Sequence, residues 1–195
     1  AAGAIDGTTV GAASASTGAF TTLSATSDVS FDGGAFTFNE TGADKDFMVE
    51  SDGNQYMVFV DGGNNKVAIG TATATATLTV AGSVKPTTYQ ETYVAAGAAA
   101  TITLDLATGT SFSTTMDQDT TFAFSNPPTS GTTFSFTLIV TQHSTAVTIT
   151  WPGGVDWAGG SAPDAAGNNE VQAYAFITRD AGTTYYGFLG GTAIG

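Results

Sequence analysis

Apolar side chains at every second position constrain this chain more than any other feature. Phe134, Phe136, Leu138 and Val140 follow that spacing, as do Ile102, Leu104 and Leu106, and Val147, Ile149 and Trp151. A repeat of two is the repeat of a β-strand, whose successive side chains point to opposite faces of a sheet. The competing helical signal is weak. Leu, Glu, Lys, Arg and Gln are scarce, and the Ala-rich stretch 95–100 is broken by Gly97. Thr and Val, which lose χ1 freedom in a helix and suit a pleated surface, are abundant instead. The expectation is an all-β fold.

Composition bounds the rest. A chain of 195 residues with 42% hydrophobic and 11% aromatic residues is a folded object rather than a disordered one. Only 11% of its residues are charged, so ion pairs contribute little to its stability. Seventeen acidic residues stand against four basic ones, a formal charge of -13. Lys45, Lys66, Lys85 and Arg179 are scattered singly, so phosphate backbones and anionic bilayers find no basic patch. Nucleic acid is excluded as the main partner. No apolar run reaches the ~18 residues of a membrane helix, and residues 1–18 lack the pattern of a signal peptide. Cysteine is absent, which removes disulfides and thiolate chemistry.

Three segments follow along the chain. Residues 1–27 are small and polar with isolated Ile5, Val10, Phe20 and Leu23, too few to close a core, so these four are expected to dock on identical copies or a neighbouring protein. Residues 28–88 read as a hairpin-rich, fibre-like β module. Its clearest hairpin joins residues 56–60 to 66–69 through Asp61-Gly62-Gly63-Asn64-Asn65, residue types that tolerate positive φ. The strict Thr/Ala alternation of 71–77 reads as a thin strand, and Lys85-Pro86 as a boundary. Residues 89–195 read as a C-terminal β-sandwich, jelly-roll-like, with strands at 101–106, 111–115, 120–124, 133–141, 146–151, 171–178 and 183–189, and with Ala173, Ala175 and Ile177 on the core face of 171–178. The loop 152–169, carrying Trp157, is long enough to be functional or pinned by a buried anchor.

Catalytic constellations are thin. His143 stands alone between two strands, and a triad would require it to meet Asp105 or Asp156 and a Ser, with no Gly-x-Ser-x-Gly elbow in the chain. The acid pairs Asp44/Asp46 and Asp117/Asp119 sit in polar turns, where capping suits them better than glycoside cleavage. Asp52-Gly53-Asn54 and the Asp61–Asn65 loop lack the spacing of a calcium loop. No enzyme activity, cofactor or metal is expected. Candidate surface contacts are Trp157 with Asp156 in the long loop, and Tyr185 and Tyr186, whose adjacency in a strand sends one inward and one outward.

Two stretches resemble a known family. Ile5-Asp6-Gly7-Thr8-Thr9-Val10-Gly11, followed by Ser16-Thr17-Gly18-Ala19-Phe20-Thr21-Thr22-Leu23-Ser24-Ala25, is similar to a segment that recurs in bacteriophage tail-fibre and related virion proteins. Lys66-Val67-Ala68-Ile69-Gly70-Thr71, running on to Leu78-Thr79-Val80-Ala81-Gly82-Ser83-Val84, resembles their shaft repeat, with Ala68 for the usual Gly and no Pro after Thr71. More loosely, Trp151-Pro152-Gly153 and the 158–163 run look like a β domain at the ends of marine phage fibres. The resemblance implies a virion structural protein, homotrimeric and elongated, held to other virion proteins through its N-terminal segment and displaying an adhesive domain that could meet a host-surface glycan. A capsid decoration or head-fibre protein, or a carbohydrate-binding surface module, is the alternative.

Overall fold

Thirteen strands and no helix make up the computed structural model, which describes residues 26, 38, 42–145 and 147–194. The chain forms two compact units, Ala1–Lys85 and Pro86–Gly195.

In the first unit, β1 (Phe47–Ser51), β2 (Asn54–Asp61), β3 (Lys66–Ile69) and β4 (Leu78–Val80) form one sheet in that order. The first two pairings are antiparallel and β3–β4 is parallel. The turns are built by side chains. Ser51 Oγ accepts from Asn54 N at 3.2 Å, and Asp61 Oδ1 accepts from Asn64 N at 2.8 Å. Asn65, at φ 55°, then closes the β2–β3 turn in the left-handed region that Asn tolerates.

Residues 71–77 are not a strand, contrary to their alternation. Their backbone amides are claimed locally: Thr71 Oγ1 accepts from Thr73 N, and Thr79 Oγ1 accepts from both Thr75 N and Ala76 N. Lys66 Nζ donates to Ala74 O at 2.9 Å. Hydroxyls this close in sequence compete with a strand ladder for the backbone, and here they win.

The second unit has two sheets. One holds β10 (Ile149–Thr150), β8 (Thr120–Ser125) and β6 (Thr101–Asp105), all parallel. The other runs β11 (Val155–Trp157), β13 (Tyr185–Gly191), β12 (Val171–Thr178), β9 (Phe134–Thr141), β7 (Ser111–Thr115) and β5 (Tyr93–Ala95). The chain changes sheet at each step from β5 to β11, so β5, β7 and β9 lie parallel, and so do β6, β8 and β10. Antiparallel pairing in this unit enters only with β12, which lies between β9 and β13.

Two facing sheets make the sandwich, but this winding connectivity replaces the antiparallel Greek keys of a jelly roll. Period-two patterns state that a strand has a buried face; they are silent on which strand it pairs with or in which direction. Buried Thr hydroxyls hold the crossings. Thr114 Oγ1 donates to Gly97 O, and Thr120 Oγ1 donates to Ala99 O at 3.0 Å, fixing the passage from β5 to β6.

The core lies between the sheets. Ile102, Leu104 and Leu106 meet Phe112, Met116, Phe122, Phe136, Leu138, Val140, Tyr174, Phe176 and Tyr185. Burial of each large side chain stabilises by about 1.5–3 kcal/mol. Rings from both sheets interlock: Phe136 stacks on Phe176 at 5.0 Å, and Phe124 meets Phe136 edge-on at 5.1 Å.

Candidate functional site

The loop after Trp151 is partly strand. Residues 155–157 form β11, which pairs parallel with β13 in the register Val155–Tyr185, Asp156–Tyr186 and Trp157–Gly187. That register decides where each candidate points. Tyr185 is 5% exposed and belongs to the core, which corrects its expected place among surface contacts. Tyr186 faces out at 37% exposure, with the Arg179 guanidinium 5.9 Å from its ring centroid. Asp156, its register partner, is exposed beside it on the same face.

Trp157 is half-buried and turns inward. Its ring lies 5.1 Å from Trp151 and 5.6 Å from Phe176, so it anchors the loop in the core. Its remaining surface lines a cleft of about 370 Å³, completed by Ala158, Ser161, Ala162, Pro163, Asp164, Gly187 and Leu189. Asp156 and Tyr186 are not among the lining residues. The sequence candidates therefore separate into a core residue, an outward pair and a cleft wall.

One residue that the sequence reading passed over builds this cleft. Gln172 is only 3% exposed, and its carboxamide is used at both ends. Its Oε1 accepts from Ala166 N at 2.9 Å and from the Tyr174 hydroxyl, while its Nε2 donates to Asp164 O at 2.8 Å. A buried polar group is stable only when so satisfied. The pattern that puts Ala173, Ala175 and Ile177 inward leaves Gln172 facing solvent, whereas the structure buries the alternate row of Gln172, Tyr174, Phe176 and Thr178. At the other end of the wall, Ala158 N donates to Gly187 O at 3.1 Å and Gly160 N to Trp157 O at 2.9 Å. Gly159 and Gly160, at φ 91° and 87°, make a reversal that residues with a β-carbon resist.

The other candidates serve as turn and loop ties. The His143 ring pairs with Thr145 Oγ1 at 2.9 Å, and its Nδ1 accepts from Thr145 N at 3.2 Å. Asp105 accepts from Ala107 N and Asn126 Nδ2, so the histidine and this aspartate are engaged separately. Asp119 Oδ1 accepts from Thr148 N at 2.7 Å, next to the β8–β10 pairing, and Asp117 holds Gln118. Asp46 accepts from Gly62 N at 3.0 Å, and both carboxylate oxygens of Asp61 are taken by Asn64. Asn54 Oδ1 accepts from Tyr56 N at 2.7 Å. Ile5, Val10, Phe20 and Leu23 lie outside the described residues.

A second surface stands out in the first unit. Phe47 pairs with Val60, Val60 with Val67 and Val67 with Leu78, so one apolar row crosses all four strands. Val49 with Val58, and Ile69 with Val80, continue the same face. Leu78 is 60% exposed, and Val49 and Val60 are exposed as well. The opposite face buries Phe59 and Ala68, the only buried apolar residues among those described in this unit, and leaves Met48 and Met57 of the same face exposed. No protein-family model, curated protein or solved structure matches the chain.

Proposed function

We propose that the chain is a non-enzymatic structural and adhesive protein of a bacteriophage particle, of the tail-fibre type, working on the virion surface as a homotrimer. The resemblance of residues 5–25 and 66–84 to fibre segments supports the virion part of this reading. The observation that carries the assembly part is the apolar row Phe47–Val60–Val67–Leu78. A sheet with one apolar face is ordinary, but a sheet whose second face is also Val, Leu and Phe, with Leu78, Val49 and Val60 exposed on it, requires cover. The face carries no charge, in a chain whose net charge of -13 opposes close approach of copies anywhere else. Three copies turning that face to a common axis bury it in the way a closed assembly demands. A head-fibre or capsid decoration protein would use the same device.

Mass measurement by light scattering tests the assembly. The native chain is expected at three times 19.5 kDa, and Val60→Asp with Leu78→Asp at the mass of one chain. A native protein that stays monomeric at micromolar concentration overturns it. Antibody labelling of intact particles under the electron microscope tests the location, and unlabelled particles overturn that.

A further inference from the structure

We infer that the Asp52-Gly53 step, in the turn between β1 and β2, is a site of spontaneous backbone rearrangement that closes to a succinimide and reopens in part as isoaspartate, while the Asp61-Gly62 step at the far end of β2 is protected from it. The chain has four Asp-Gly steps, and these two lie among the described residues. Glycine favours the reaction because no side chain shields its amide nitrogen and its backbone turns freely. On sequence alone the two steps are equal. Their surroundings differ.

The reaction needs a free carboxyl, a free amide and room for the peptide plane to turn. Asp52 and Gly53 are both exposed, and among the described residues none bonds the Asp52 carboxylate or the Gly53 N–H. A β-carbon at Gly53 would meet nothing within 4 Å. The side-chain tie of the turn runs around the step, from Asn54 N to Ser51 Oγ at 3.2 Å, and leaves it untouched. Asp61 is the reverse case. Its Oδ1 accepts from Asn64 N and Nδ2, and its Oδ2 from Asn64 Nδ2. The Asn64 side chain, with its backbone N–H, holds Asp61 below the usual carboxylate range, in the charged form that resists nucleophilic attack. The Gly62 N–H is committed to Asp46 Oδ1 at 3.0 Å, and a β-carbon at Gly62 would overlap the Lys45 carbonyl, so that peptide plane has little room to turn.

The step balances with water alone. Gly53 N bonds to Cγ of the protonated Asp52 carboxyl, the Cγ–OH bond breaks, and the hydroxyl and the amide proton leave as water. Water then adds to one of the two imide carbonyls. Cleavage of the N–Cγ bond restores aspartate. Cleavage of the bond from N to the main-chain carbonyl carbon leaves the chain running through the side chain, one methylene longer and with its carboxylate on Cα.

The test incubates the full chain in neutral buffer for weeks, beside a sample unfolded in guanidinium chloride, and maps peptides by electron-transfer fragmentation, which tells the isomers apart at equal mass. In the folded chain isoaspartate is expected at Asp52 at least about ten-fold faster than at Asp61, the factor that the protecting hydrogen bonds put on a rate. In the unfolded sample the two rates are expected to converge. Asn64→Ala should bring Asp61 toward the rate of Asp52, and Gly53→Ala, which the open turn accommodates, should slow Asp52 severalfold. Equal rates at the two sites in the folded chain, no isomer at Asp52, or an Asp61 rate unmoved by Asn64→Ala overturns the assignment.

Discussion

The indole of Trp157 rests against the backbone of Gly187: a β-carbon at Gly187 would stand 2.8 Å from Trp157 Cε3 and 2.9 Å from Cζ3. These residues are register partners of β11 and β13, so the strand pairing and the ring packing depend on one missing side chain. Gly187→Ala is expected to cost about 1–3 kcal/mol, the usual penalty of overpacking a filled core. Urea unfolding followed by tryptophan fluorescence measures it. Because the indole is displaced, the native emission should also shift. An alanine variant as stable as the native chain would show that β11 is not held in this register.

Gln172 holds three partners, and its replacement separates shape from hydrogen bonding. Gln172→Leu keeps much of the volume but leaves the Ala166 amide, the Asp164 carbonyl and the Tyr174 hydroxyl without their bonds. Each buried group left unsatisfied costs about 1–3 kcal/mol, less where the loosened loop admits water. Hydrogen exchange is the sharper readout. The amide of Ala166 should lose protection by orders of magnitude, while amides in β9 remain slow.

These two residues mark where the sequence was legible. The inward positions of β6 and β9 were readable because the core removes Ile102, Leu104, Phe136 and Leu138 from water at every second residue, whereas the expected core face of β12 is one residue out of phase: Tyr174 and Phe176 face the core, and Ile177, expected inward, is 37% exposed. β11 was hidden, since three residues flanked by Gly and Pro give no repeat, and the long loop read as surface. Trp157 stood both as a surface contact and as the buried anchor of the long loop, and its parallel pairing with β13 turns it in, to the anchor's place. Tyr185 and Tyr186 were divided one in and one out by alternation, and which is which depended on a partner strand the pattern does not name. Pairing direction in the two parallel ladders is a property of the winding, and no local pattern encodes it.

Alkaline stability should follow the buried tyrosines. Burial pushes Tyr174 up to about 12, and Tyr185 is raised by burial and by the nearby negative charge of Asp180. Each keeps its proton longer folded than unfolded, so the folded state binds more protons above pH 10. Their contribution is complete below the ordinary tyrosine value of 10.0 and is lost as pH rises from there toward about 12. Unfolding free energy is expected to fall over that window, and absorbance titration should show at least one of the six tyrosines ionising late. Six tyrosines titrating together near 10 in the folded protein would contradict the buried placement.

The acid side carries the opposite sign. Asp61 is lowered chiefly by the side-chain bond from Asn64, Asp105 by that from Asn126, and Asp180 by the backbone N–H of Thr184. A carboxylate lowered in the folded state adds stability above its ordinary value of 3.8 and loses it as pH falls through the folded value. Asp105→Asn with Asp180→Asn should therefore lower the melting temperature at neutral pH and flatten its decline in acid. An unchanged acid slope in the double variant would show that these turn bonds do not persist in solution.

Thr79 decides whether residues 71–77 become a strand. Its Oγ1 accepts from Thr75 N at 2.9 Å and from Ala76 N at 3.1 Å, drawing the chain into a bend beside β4. Thr79→Val preserves the branched shape and removes both acceptors, at about 0.5–1.5 kcal/mol for each net hydrogen bond lost. The alternating Thr and Ala, freed of that competitor, regain the extended preference that their pattern carries. Hydrogen exchange should show Thr75 and Ala76 losing protection, with the β2–β3 pairing unchanged. If both amides stay slow in the variant, the hydroxyl is not what keeps this segment from extending, and the reason lies in the hold that Lys66 keeps on Ala74.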